Sequence, residues 1–211
     1  MIVLLTIVAI GLVAGFIAGG SLRGFERVNV YWWGAALAGL ALQVMPFRWL
    51  DGDMGVAVLI ASYALLIAFV WVNRRLPAAP LLLLGLVLNM LVIGSNGGMP
   101  VSESAIRSAG GTSGVLPSVI EDGKHHLMTS SDVLTPLADI IGLPSPIGTV
   151  LSIGDVALYS GLVVFIVVVM RGHFTENRRP PAWIPMYRGK HLPAQRRMPR
   201  QSPLRRRLIL Q

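Results

Sequence analysis

Two aspartates in the second half of the chain, Asp139 and Asp155, are the residues whose type best suits chemistry. Carboxylates held close together share one proton and split their pKa values, so that one can activate water while the other donates. Asp139 ends the run Leu134-Thr135-Pro136-Leu137-Ala138-Asp139 and precedes Ile140 and Ile141. Asp155 ends Ser152-Ile153-Gly154-Asp155, just inside a long apolar stretch. An ionisable residue within a membrane segment marks a functional site by default. Asp155 also has a structural use: Ser152 and Asp155 have the spacing of a capping box, and a carboxylate there suits the helix dipole. At 1.5 Å per residue it would lie only about 6 Å along its helix, near the surface.

A second group lies upstream. Asn89 and Asn96 are seven residues apart and so share a helical face. Asn96 leads into Gly97, Gly98, Met99 and Pro100, where glycines open conformations closed to other residues and the proline fixes the exit. Structural uses exist here too. Asn89 would make an interhelical hydrogen bond, and Asn96 would serve as a helix C-cap. His125 and His126 are adjacent, with no further ligand at metal spacing, so they read as solvated loop residues. No metal and no cofactor is expected. The chain has no cysteine, which excludes disulfides and thiol chemistry.

The elements that position these residues follow from hydropathy. Apolar residues make up 54% of the chain and charged residues 13%, too few charges for a soluble protein. Five stretches free of Lys and Arg approach the length needed to cross a bilayer: 1–20, 30–47, 54–72, 80–95 and 151–170. The expected fold is an all-α integral membrane bundle of five transmembrane helices, with a long outer loop over 96–150. Thr135 before Pro136 reads as an N-cap within a short amphipathic segment of that loop. Basic residues mark loop one (Arg23, Arg27), loop three (Arg74, Arg75) and the tail, whereas Asp51, Asp53 and most other acids lie in loops two and four. The positive-inside rule then puts the N-terminus outside and the C-terminus in the cytoplasm. Positive charge follows the first apolar run instead of preceding it, which argues for an anchor over a cleaved signal. Trp32, Trp33, Trp49 and Trp71 stand at span ends as interface anchors.

Eleven of the 18 Lys and Arg fall from Arg171 onward, beside a single acid, Glu176. This Pro/Arg-rich tail, 171–211, lacks periodic apolar residues and is expected to be disordered. It would attract anionic lipid headgroups at the inner surface. Nucleic acid is not expected as a partner, since only Trp183 and Tyr187 interleave with the bases. Gly11, Gly15 and Gly19 put small residues on one face of the first span, for packing within the bundle or for a protein partner or homo-oligomer.

The runs from Asn89 to Ser102, from Leu134 to Asp139 and from Ser152 to Asp155 resemble a family of uncharacterised bacterial multi-span membrane proteins, a domain of unknown function. That resemblance covers roughly 1–170 and implies a bacterial inner-membrane location without an activity. A more distant similarity joins Asp139-Ile-Ile and Ser152-Ile-Gly-Asp155 to the end of lipoprotein signal peptidases, with Asn96-Gly-Gly in place of an Asn-x-Gly loop. It implies a membrane-embedded aspartyl hydrolase using Asp139 and Asp155. That family's Asn-x-x-Asp-Arg motif has no match here. The sequence therefore favours a binding or accessory membrane protein. Its ligand or partner face would be formed by Asn89, Asn96, Gly97, Gly98, Met99, Pro100 and Ser152. The hydrolase comes second, and a small transporter or pore subunit third.

Overall fold

The computed structural model describes residues 2–45, 52–110 and 123–172. The expectations for Trp49, for the middle of the long loop and for the tail beyond Gly172 lie outside the described residues. Five long helices dominate: α1 (Ile2–Ile17), α2 (Trp33–Val44), α3 (Gly52–Val72), α4 (Ala79–Asn96) and, last in the chain, α6 (Ile153–Arg171). Three contain segments long and apolar enough to cross a membrane: Asp53–Val72, Ala79–Asn96 and Ile153–Arg171. α1 and α2 are apolar but shorter, at 16 and 12 residues, about 24 and 18 Å of helix.

The helices pack in the order α1, α6, α4, α3, α2, so the last helix slots between the first and the fourth. Neighbours α6/α4, α4/α3 and α3/α2 run antiparallel, because each follows the other through a connection or meets it in reversed order. Gly154 and Gly161 of α6 meet Gly85 and Leu82 of α4, respectively. α1 and α6 run parallel: the Ser21 amide just beyond α1 donates to the Met170 carbonyl at the end of α6, at 2.8 Å.

Between apolar helices in lipid the hydrophobic drive is weak, and close packing takes its place. Small residues provide it. A Cβ on Gly11 would lie 2.8 Å from the Ile166 side chain, and one on Gly15 2.3 Å from the Met170 sulfur. The Gly11/Gly15 face therefore receives α6 of the same chain, whereas Gly19 has nothing within 4 Å. On the other side of α6, a Cβ on Gly85 would sit 2.4 Å from the Gly154 carbonyl. Gly39 brings α2 close to α3, where a Cβ would lie 2.9 Å from the Leu66 side chain.

This arrangement sorts the ends. Arg23 and Arg27 lie on a 3-10 turn (Leu22–Arg27) that abuts the end of α6, where a Cβ on Gly24 would be 2.0 Å from the Val169 carbonyl. Asn73, next to Arg74 and Arg75, exchanges hydrogen bonds with the Tyr31 backbone before α2, at 2.9 and 2.8 Å. Loops one and three and the end of α6 thus share one end of the bundle. The segment between α4 and α6 lies at the other.

The structure is mostly helical, as expected, but the described parts of that segment are folded and add short β-strands. Strand β1 (Met99–Val101) pairs in parallel with β2 (His125–Leu127), with Met99 opposite His125. Asp139 flanks the other edge of β1: its amide donates to the Pro100 carbonyl at 3.1 Å, and its carbonyl accepts from the Ser102 amide at 3.0 Å. A short helix α5 (Glu103–Ser108) follows β1 and packs on a hairpin of β3 (Ile141–Leu143) and β4 (Thr149–Leu151). Val101, Ala105, Ile106, Ala109 and Val150 form its core. Met99 and Ala138 pack instead on Leu59, Val92 and Ile93 of the bundle, which seats this cap on the helices. Thr135 is not an N-cap. Leu134, at φ 56, precedes a 3-10 turn whose first residue is Thr135.

Candidate functional site

The capping box is formed as its spacing predicts. Ser152 is the N-cap of α6: its hydroxyl oxygen accepts from the Asp155 amide at 2.9 Å, and the Asp155 carboxylate accepts from the Ser152 amide at 3.1 Å. A third residue joins it. Asn89, buried in the middle of α4, donates its amide to Asp155 Oδ1 at 2.8 Å and accepts the Ser152 hydroxyl on Oδ1 at 2.9 Å. The three side chains close a ring that spans two helices. Gly154 makes it possible, since a Cβ there would fall 1.9 Å from Asn89 Oδ1.

This ring forms one side of a cleft of about 140 Å³ at the capped end of the bundle. Asn89 and Asp155 line it from α4 and α6, Tyr63 from α3 and Asp139 from the edge of β1. Lys124 and His125 line it from the start of β2. Leu59, Ile93 and Met99 supply an apolar wall. Asp139 is 3% exposed, and its Oδ2 lies 3.6 Å from His125 Nε2. The Lys124 ammonium donates to the Gln43 carbonyl near the end of α2, where a cation suits the helix dipole. The cleft is thus built from the three longest helices, the cap and the last turn of α2.

Several sequence-predicted residues stand elsewhere. Asn96 is not the C-cap of α4; Gly97 is, at φ 69. The Asn96 amide group instead clamps the chain at Val133, accepting from its amide at 2.8 Å and donating to its carbonyl at 2.9 Å. Pro100 is buried within β1. Gly97 has open space around it, and Gly98 lies against Lys124 and His126. Of the expected face, Asn89 and Met99 line the cleft, Ser152 braces it, and the other four shape the backbone beside it.

Six cleft residues escaped the sequence reading: Gln43, Leu59, Tyr63, Ile93, Lys124 and His125. The histidines are in a strand and not in a solvated loop, so their side chains point to opposite faces. His125 turns to the cleft. His126 turns to Asp132, with Nε2 3.0 Å from Oδ1. Asp132 also accepts from the Thr129 amide at 2.6 Å and hydroxyl at 3.0 Å. The Thr129 amide, with help from His126, holds the Asp132 carboxyl below the usual aspartate range. Among the described residues no three His, Asp or Glu side chains converge as a metal site would need.

Residues 27–167 match the model of a family of unknown function, DUF5317. The chain belongs to this family. An uncharacterised protein of Thermotoga maritima is 31% identical over 142 residues, which is 66% of this chain and 76% of the relative. No solved structure matches the chain. The DUF5317 region runs from the end of loop one almost to the end of α6, and so contains every residue that lines the cleft. It leaves out α1 and the tail.

Proposed function

We propose that this DUF5317 protein is a five-span protein of the bacterial inner membrane whose outer-end cleft binds a small polar ligand without transforming it. The spans are α1, α2, α3, α4 and α6; the short α1 and α2 cross in a locally thinned bilayer or with flanking residues snorkelling to the interface. Gathering of Arg23, Arg27, Arg74, Arg75 and Arg171 at one end of the bundle supports an orientation with that end in the cytoplasm. The cap and the cleft then face outward. The tail follows α6 into the cytoplasm and meets anionic lipid there.

One observation carries the binding role: residues of six separate elements converge on a single cleft lined by both polar and apolar side chains. Such a mixed, preformed cavity is the usual form of a small-molecule site. A hydrolase is the second reading, favoured by Asp139 and Asp155 lining the same cleft. Against it, both Asp155 oxygens already accept hydrogen bonds from Asn89 and Ser152, which fixes this side chain as a brace between the two helices.

Thermal unfolding of the purified full chain in lipid nanodiscs tests this reading, using separate panels of small amines, carboxylates, amino acids and polyols. At least one class is expected to raise the melting temperature of the wild type and not of Asp139→Asn. No shift by any class would contradict the proposal. Turnover of a peptide or lipid ester that both Asp139→Asn and Asp155→Asn abolish would establish the hydrolase instead.

A further inference from the structure

On the cap, Val133 and Leu134 are 51% and 42% exposed, and their setting indicates what covers them. The Asn96 amide group bonds both the amide and the carbonyl of Val133, at 2.8 and 2.9 Å. That residue is thereby tied to the last residue of α4. α4 has 18 residues, about 27 Å of helix, against a hydrocarbon core about 30 Å thick. With α4 spanning the bilayer, Asn96 stands at the border between acyl chains and headgroups. Val133 is held at the same level. Met128 and Leu137, on either side in sequence, pack inward on the cluster of Leu59, Val92 and Ile93. The cap is seated by those two residues, and the Val133–Leu134 pair is left over.

Leu134 is a costly residue for its place. At φ 56 its backbone is left-handed, where a Cβ crowds the following carbonyl oxygen and glycine or asparagine is the usual choice. Left in water, its large apolar side chain would add the cost of exposed hydrocarbon to that strain. In lipid the second cost disappears. The polar groups of the same loop are drawn the other way. The Asp132 carboxylate, next to Val133, meets His126 Nε2 at 3.0 Å and accepts from the Thr129 amide at 2.6 Å. The Thr129 hydroxyl meets that of Ser131 at 2.8 Å. The loop is thus split into a hydrogen-bonded polar half, 129–132, and an uncharged apolar pair at the level of the acyl border. We infer that Val133 and Leu134 dip into the outer leaflet at the boundary of headgroups and acyl chains, and that the cap rests on the membrane through them. Apolar faces of this kind enter the boundary to a depth of roughly 5–10 Å. The inference rests on the reading of α4 as a span whose Asn96 end faces outward.

Spin-label accessibility in phosphatidylcholine nanodiscs tests this on the full chain, which has no cysteine of its own. Single nitroxides are attached at Val133→Cys, Leu134→Cys, Ser130→Cys and Leu91→Cys, all exposed positions. Relaxation by oxygen, which concentrates in lipid, is compared with relaxation by a water-soluble nickel chelate. Oxygen is expected to prevail at Val133 and Leu134, as at Leu91 on the flank of α4, and nickel at Ser130. The shared label makes Ser130 the control for any pull of the nitroxide itself toward lipid. Nickel prevailing at either Val133 or Leu134, with Leu91 in lipid, would overturn the inference and leave the span standing. Nickel prevailing at Leu91 as well would remove the span and the inference together. Exclusion of both reagents from the pair would show a protein cover, such as a second copy of the chain, and would also overturn it. Oxygen prevailing at Ser130 too would sink the whole loop into lipid and contradict a boundary position. Val133 and Leu134 are independent probes, so failure of one variant to fold leaves the other to decide.

Discussion

Asn89 of α4 and Asp155 of α6 are joined by a 2.8 Å hydrogen bond, and the same Asn89 side chain accepts the Ser152 hydroxyl that caps α6. One amide group thus fixes both the helix start and the carboxylate that lines the cleft. The arrangement holds α6 against α4 at the point where the chain leaves the cap for the last helix.

Replacing Asn89 by Leu would therefore take one partner each from the half-buried Asp155 Oδ1 and from the buried Ser152 hydroxyl. An unsatisfied buried group costs about 1–3 kcal/mol, more when charged. The variant is expected to lose at least that much stability in a denaturant titration in micelles. Asn89→Asp, which places two carboxylates together, is expected to be no better.

Gly154→Ala tests the close approach of the two helices. Its Cβ would lie 1.9 Å from Asn89 Oδ1 and 2.9 Å from the Gly85 carbonyl, and overpacking of this kind costs about 1–3 kcal/mol. Gly34→Ala in α2 meets nothing within 4 Å and is expected to be neutral or slightly stabilising. Parallel thermal melts of the two variants distinguish a packing effect from a general intolerance of Gly→Ala.

Asp132 gives the cap a pH dependence. Its folded pKa lies below the ordinary value of 3.8, so its contribution is fully present above that value and is lost as pH falls through the lower folded pKa. The exchange protection factor of the Thr129 amide is expected to hold through the ordinary carboxyl value and to fall only at lower pH, as the folded Asp132 takes up its proton. Asp132→Asn should remove this acid transition, and its persistence in that variant would assign it elsewhere.

Asn96→Ala is expected to release the Val133 segment while the bundle persists. The hydrogen bonds to Val133 are solvent-accessible and contribute about 0.5–1.5 kcal/mol each. Loss of exchange protection at Val133 with little change in the overall melting point is the expected pattern.

The parts of this architecture that were legible in the sequence are those governed by local rules. The ends of α3, α4 and α6 followed from hydropathy, and the Ser152/Asp155 box from its spacing. The strands were not legible, because Met99–Val101 and His125–Leu127 are three residues each and pair across an intervening stretch of chain. No periodicity is readable over three residues. For the same reason His125 looked like half of a solvated pair, although strand alternation alone would have sent one of the two inward. Asn96 was misjudged differently. Asn before Gly is a common helix end, but its partner at Val133 is 37 residues away and only the fold reveals it. Of the glycines marked as a packing face on the first span, Gly11 and Gly15 meet α6 and Gly19 does not, whereas Gly85 and Gly154, which set the site, lack a repeat that would draw the eye.

The absence of cysteine from the sequence allows a cleft opening outward from a five-span bundle to be tested by adding one cysteine at a time. Ser104, exposed on α5 at the cleft end, and Leu22, exposed on the turn at the opposite end, can each be changed to Cys without touching a charge. With a membrane-impermeant maleimide on intact spheroplasts, Ser104→Cys is predicted to label at once and Leu22→Cys only after permeabilisation. The reverse pattern would invert the orientation, and labelling of both in intact spheroplasts would contradict the five-span arrangement itself.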